Sequence, residues 1–172
     1  MTLITKAEAL ERLTVFRDEL GATGDDDCVM CALAQGRGRP EPLIETARAV
    51  VVLDRFARRY GHLLVIAREH VEGTRAVTWE LFHELARLTF EARRALDRAL
   101  EPVQIYSATL GAVVPLPMSF GHLHTHVIPV HEADARARPA RVLTWEEGVT
   151  VYDDAEASAL RARILSVWNR GA

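Results

Sequence analysis

Lysine is almost missing from this 172-residue chain: Lys6 is its only one, and every other basic side chain is arginine. That bias reflects either a skewed genome or arginine-rich loops that meet phosphate, which arginine binds well. The net charge is −3, so no global basic field exists to hold nucleic acid. No apolar run approaches the roughly 20 residues a membrane helix needs. Residues 1–13 carry Lys6, Glu8, Glu11 and Arg12 and lack the apolar core of a signal peptide. A soluble, cytoplasmic protein is the expectation, with neither membrane nor nucleic acid as partner. Internal repeats and low-complexity tracts are absent. Cysteine is scarce too. Cys28 and Cys31 form one C-x-x-C, which in a reducing compartment suggests zinc or redox work rather than a structural disulfide.

What is present suffices for one domain with a real core, since 49% of the residues are apolar. Residues 5–20 read as a helix. Thr5 and Glu8 fit a capping box, Leu10, Leu13, Phe16 and Leu20 mark one face, and Gly21 stops it. Residues 49–53 and 62–67 are β-branched and apolar and predict two strands, with Gly61 before the second. Residues 79–100 form the longest predicted helix. Leu81, Leu85, Leu88, Ala92, Leu96 and Ala99 keep a period near 3.6, Thr78 caps the start, Val77 can staple onto Phe82, and Pro102 follows the end. Residues 103–110 are a strand candidate. The loop 111–121, with Pro115 and Pro117, leads to the run 122–128. A connection over 132–141, a short strand at 149–152, and a helix capped by Asp153 with Glu156 complete the chain. Strands joined without alternating helices predict an antiparallel α+β sheet with helices packed on it.

The run His122-Leu-His124-Thr-His126-Val-Ile is the most informative segment. A strand alternates faces with period two, so three imidazoles line one face and Leu123, Thr125 and Val127 the other. Their ring nitrogens need partners or ligands. A lone histidine is usually a satisfied core or surface residue; three in alternation, with His62 and His70 flanking another strand, point to catalysis, metal binding or both. Imidazole is a nucleophile and proton carrier near neutral pH, and it can take a phosphoryl or nucleotidyl group. A cupin-like His-x-His oxygenase fails on pattern: Pro129 follows the run and the long helix is foreign to that barrel.

The pattern resembles the histidine triad (HIT) superfamily, whose signature is His-φ-His-φ-His-φ-φ with φ apolar; Thr125 is the one departure inside it. The resemblance extends upstream to Asp54, Gly61-His62, the apolar run 63–66 and His70. Cys28 and Cys31 stand where zinc-bearing bacterial members of the Hint-like branch carry C-x-x-C. The fold it implies is an antiparallel sheet of about five strands with one long central helix and flanking N- and C-terminal helices. Residues 1–172 then form a single HIT-like domain, with 1–27 a helical extension, 28–130 the core and 131–172 a tail with a helix.

By that resemblance His124 is the nucleophile at the α-phosphate, His126 and His62 bind phosphate, and Ser119 lies near the scissile bond. Asp54 takes the ribose hydroxyls. Val29, Met30 and Val52 fall where relatives line the base pocket, although apolar residues there serve core equally well. Cys28, Cys31, His70 and His122 match the ligands of a structural Zn²⁺, and two thiolates with two imidazoles make a closed tetrahedral site. A redox pair or an unoccupied relic are the alternatives; the redox reading lacks a thioredoxin-like βαβ pattern.

The implied activity is hydrolysis or transfer at the α-phosphate of nucleoside phosphoramidates or dinucleoside polyphosphates through a nucleotidyl-histidine, by a homodimer. The alternative is a non-catalytic, zinc-stabilised nucleotide-binding protein. It is motivated by Gly111, Pro117 and Met118, which replace the branch's usual Asn, Gly and Gln; Pro117 has no N–H to offer. Ala57 and Tyr60 likewise replace family prolines. His83 and His131 read as solvated or capping residues. Arg136, Arg138 and Arg141 read as a solvated connection, or as contacts to a polyphosphate tail or second subunit. Trp145 and Trp168 read as packing residues.

Overall fold

A computed structural model of the chain describes residues 1–22, 28–38, 41–111 and 120–168. From the N-terminus these form β1 (Thr2–Ile4), α1 (Lys6–Glu19), α2 (Val29–Ala34), β2 (Ile44–Glu45), β3 (Ala49–Leu53), β4 (Leu63–Ala67) and α3 (Trp79–Leu100). Then come β5 (Gln104–Leu110), β6 (His124–Val130), a 3-10 turn at Ala135–Ala137, α4 (Pro139–Val142), β7 (Val149–Val151) and α5 (Asp154–Trp168). Five strands pair antiparallel in the order β2-β3-β4-β6-β5. The expected antiparallel α+β sheet is the architecture the chain adopts, with α3 as its long helix.

Strand alternation divides the sheet into two buried faces. Ala49, Val51 and Leu53, with Leu63, Val65 and Ala67, join Val127 and the α3 stripe Leu81, Leu85, Leu88, Ala92, Leu96 and Ala99 in one cluster. Leu160, Ile164 and Trp168 of α5 complete it. Val50, Val52, Leu64 and Ile66 face the other way, onto Met30 and Ala34 of α2. Because Val127 faces α3, its neighbour His126 and, two residues back, His124 face the α2 side. The histidines therefore sit on a sheet whose opposite face is a rigid hydrocarbon layer.

Local signals explain most boundaries. Thr5 and Glu8 close a capping box, Thr78 Oγ1 accepts from the Leu81 N–H, and Asp153 and Glu156 cap α5 reciprocally. Gly61 has φ +88°, and a Cβ there would collide with Leu100 and Pro129, so only glycine makes the turn that delivers His62 to the start of β4.

The structure corrects several sequence expectations. β6 begins at His124; His122 lies just before it, in an isolated bridge to Glu72, because the Leu123 N–H turns aside to the Val71 carbonyl. β4 likewise starts at Leu63, leaving His62 in the turn. Leu10 of α1 is exposed, and the helix packs through Ala9, Phe16 and Leu20. Phe82 does not follow Val77 inward but lies exposed, stacked on Trp79. β1 and α2 were not expected. β1 pairs with β7, Thr2 opposite Val151, in a separate two-stranded ribbon that joins the chain's two ends. No described helix is long and apolar enough to cross a membrane.

Candidate functional site: a buried histidine chain beside a Cys2His2 cluster

Two groups of side chains meet at His122. In the first, Asp54 stands just after β3, its N–H bonded to the His62 carbonyl across the turn. Its Oδ2 lies 2.9 Å from His62 Nδ1, and its Oδ1 accepts from the Phe56 N–H at 2.9 Å. His62 Nε2 is 2.9 Å from His126 Nδ1, and His126 Nε2 is 3.1 Å from His124 Nε2. His124 Nδ1 donates to the His122 carbonyl at 2.7 Å. An unbroken row thus runs from carboxylate through three buried rings to a backbone oxygen.

Arg58 joins this row, and sequence reasoning missed it. Its Nη1 donates to His126 Nδ1 at 3.3 Å and lies 3.8 Å from Asp54 Oδ2, while its Nε donates to the Leu143 carbonyl. A guanidinium only donates, so His126 Nδ1 accepts and the proton of the neutral ring sits on Nε2. His124, whose Nδ1–H is committed to a carbonyl, keeps its lone pair on Nε2. The 3.1 Å contact between them is then a hydrogen bond from His126 to His124. At the head of the row His62 Nδ1 meets both Asp54 Oδ2 and the Arg58 backbone N–H, which donates to it at 3.3 Å. A cation halfway along the nine-residue turn between Asp54 and His62 was the available signal.

Burial governs the titration of these groups. It pushes His126 well below the ordinary imidazole range, and the charges of His62, Arg58 and His124 add to this. His124 is lowered by burial against the pull of its bond to His122. Burial of Asp54 works to raise it, but His62, Arg58 and the Phe56 N–H together hold it below the usual carboxylate range. For His126 the consequence is testable. An unfolded chain protonates this ring below about pH 6.5, whereas the folded chain does not. Stability that His126 contributes above that pH is therefore lost as pH falls, at about 1.4 kcal/mol per unit. In urea titrations the stability gap between wild type and His126→Asn should shrink by that slope between pH 6.5 and 5; a gap independent of pH would refute it.

The second group is Cys28, Cys31, His70 and His122, whose donor atoms all lie within 4.8 Å of one another. His122 Nδ1 is 3.4 Å from Cys28 Sγ and 3.3 Å from Cys31 Sγ, and His70 Nδ1 is 3.2 Å from Cys31 Sγ. Such separations suit donors around one tetrahedral zinc, with bonds of roughly 2.0–2.3 Å. The supports suit it as well. His122 Nε2 donates to the Ala67 carbonyl at 2.8 Å, which turns Nδ1 toward the thiols, and His70 Nε2 has Glu72 at 3.5 Å. Burial and the neighbouring Cys28 push the Cys31 thiol up to about 12, so a thiolate pair here calls for a cation beside it. Cys28 also caps α2, its Sγ accepting from the Cys31 N–H.

Both groups open on one cavity of about 1280 Å³. Val29, Met30 and Val52 line it, and Met30 and Val52 also belong to the α2-side core. Its remaining walls come from segments with no expected site role: Leu10, Leu13 and Arg17 of α1, and Leu143 and Trp145 after α4. Ser119, Pro117 and Met118 lie outside the described residues. Gly111 closes β5, with room for no Cβ larger than a close fit against Gly121 and Leu123. His83 and His131 stand apart from both groups: His83 lies beside Trp79 in α3, and His131 Nε2 bonds the Tyr60 carbonyl.

Residues 27–140 match the sequence model of the family described as scavenger mRNA decapping enzyme C-term binding. The chain belongs to the histidine triad superfamily. An uncharacterized 16.1 kDa HIT-like protein of Mycoplasma pneumoniae is 27% identical over 109 residues, covering 63% of this chain and 74% of that protein. An uncharacterized HIT-like protein of Saccharolobus solfataricus is 26% identical over 107 residues, covering 62% and 76%. Among solved structures, a Zn-bound histidine triad family protein from Mycobacterium smegmatis superposes with a TM-score of 0.61 at 22% identity, covering 84% of this chain and 97% of that one. A Hit-like protein from Bartonella henselae gives 0.65 at 15% identity, covering 83% and 97%. These structures share the histidine triad fold. α1 and residues 143–145 lie outside the matched family segment, so this histidine triad chain walls part of its cavity with residues beyond that segment.

Proposed function

We propose that the chain is a nucleotide hydrolase or transferase acting at an α-phosphate through a nucleotidyl-His124 intermediate. The observation that carries this reading is the tautomer of His124: Nδ1 is tied to the His122 carbonyl, so the lone pair sits on Nε2, at the edge of a cavity large enough for a nucleotide, and is released when His126 turns its proton from His124 to a bound phosphate. Such pockets commonly run to roughly 300–1,000 Å³.

His124 Nε2 attacks phosphorus, forming the N–P bond as the bond to the leaving group breaks and its electron pair departs with that group. Water then attacks, the N–P bond breaks, and the nucleoside monophosphate leaves. Over the cycle water gives its hydroxyl to phosphorus and its proton to the leaving group. His126, with its proton on Nε2, donates to a phosphate oxygen, and His62 orients His126 from behind. Asp54 takes the ribose hydroxyls. Val29, Met30 and Val52 receive the base, and Ser119 belongs near the leaving group. Substrates are nucleoside phosphoramidates or dinucleoside polyphosphates. Zn²⁺ at Cys28, Cys31, His70 and His122 is structural, since four protein ligands leave no open position.

The sequence Pro117-Met118 favours a second reading, nucleotide binding without turnover. Quenching the protein with a panel of such substrates and mass-analysing the peptide that holds residues 122–128 separates the two. A nucleotidyl adduct on His124 is the expected result. Tight AMP binding with neither adduct nor product would leave only the second reading.

A further inference from the structure

We propose that Arg58 is a phosphate-recognition residue of this cavity, fixing the proton of His126 on Nε2 and supplying a permanent positive charge to an anionic phosphate bound beside it. The inference rests on the function proposed above and adds to it a residue from outside the triad.

Four observations carry it. Arg58 is largely buried at the centre of the histidine row and lines the cavity, within 3.3 Å of His126 and 3.8 Å of Asp54. Its Nε is held by the Leu143 carbonyl at 3.1 Å, and its main chain is held on both sides, the N–H by His62 Nδ1 at 3.3 Å and the carbonyl by Arg59 Nη1 at 2.7 Å. Arg59 in turn is clamped by Glu132 at 3.0 Å and by the Arg136 carbonyl. Nη2 of Arg58 makes no hydrogen bond among the described residues. Nη2 is not among the buried atoms left without a partner, so it reaches the solvent of the cavity that Arg58 lines, where an oxyanion can take its N–H groups.

A purely structural role fits less well. The 3.8 Å approach to Asp54 is long for an ion pair, and Asp54 already has His62 and the Phe56 N–H. A metal role for the neighbouring trio Asp54, His62 and His126 also fails. Their donor atoms are close enough together to hold an ion, but the fixed charge of Arg58 at 3.3 Å from His126 repels a second cation there. Arginine thus stands where the cluster needs its positive charge.

The ligand class follows. Arg58 favours a substrate that presents an ionised phosphate over the same nucleoside without it. Calorimetry with AMP and with adenosine tests this without requiring turnover. Arg58→Gln should weaken AMP by about 10- to 100-fold, the range for a hydrogen bond to a charged group, and leave adenosine unchanged. Arg58→Lys, which keeps the charge but not the fork, should recover part of the loss and serves if the glutamine variant folds poorly. Equal losses for AMP and adenosine, or no loss for AMP, would overturn the role of Arg58 while leaving the nucleotide site standing. Failure of the wild type to bind either ligand would overturn the nucleotide reading, and this inference with it.

Discussion

His124→Ala is expected to lower kcat by about 10⁴- to 10⁶-fold on every substrate the wild type turns over, the scale seen when a covalent nucleophile is removed. The reason is geometric. His124 offers a lone pair held in one orientation by a 2.7 Å bond from Nδ1 to the His122 carbonyl, and no other ring in the row can take its place. His126 has its proton on Nε2, and His62 lies behind His126 and does not line the cavity. Binding should change far less, because Asp54, His126 and Arg58 remain. Steady-state assays with calorimetry of AMP would show kcat collapsing while affinity stays within about threefold. Because the ring is buried, the urea midpoint of the variant is measured alongside, and a folded variant assigns the loss to chemistry. Activity above a tenth of wild type would end the covalent mechanism.

Removal of the metal should have the second large effect, on stability. Zinc bound only by the folded chain contributes RT ln(1 + [Zn]/Kd), about 4 kcal/mol when free metal exceeds Kd a thousandfold. Zinc here would tie the Cys28 end of α2 to His70, 39 residues from Cys31, and to His122, 94 residues from Cys28. The protein purified without chelator should hold about one zinc per chain. Excess chelator should then lower the urea midpoint, and the double variant Cys28→Ser, Cys31→Ser should start low and ignore the chelator. Fewer than half an equivalent after dialysis, or a midpoint unmoved by chelation, would refute the zinc.

Much of the fold is legible in the sequence. The α3 stripe from Leu81 to Ala99 carries its own period, and β3 and β4 are bounded by their β-branched runs. The two histidine groups are separated in the sequence by the resemblance to zinc-bearing histidine triad proteins, which sets His70 and His122 with the cysteines. What escaped has physical causes. α2 is six residues long and capped by a thiol rather than a hydroxyl or carboxylate, so its start signal is absent from the usual set. β1 owes its existence to β7, nearly the whole chain away, and three residues alone specify no strand. Arg58 reads as one cation among many until the turn forced by Gly61 folds it back beside His126. The start of β6 was misplaced by two residues because alternation cannot reveal that Leu123 bonds elsewhere.

His122 does two jobs with different parts of itself. Its ring faces the thiols, while its main-chain oxygen holds His124. Every amino acid carries that oxygen, so substitution at position 122 can abolish the first job and spare the second. A change of side chain here takes a neighbour from the thiols and a donor from the Ala67 carbonyl, yet it leaves the acceptor of His124 in place. The path of the backbone is not free, because an insertion or deletion between residues 122 and 124 would move the acceptor. Identity at this position serves the cysteines, and spacing serves His124.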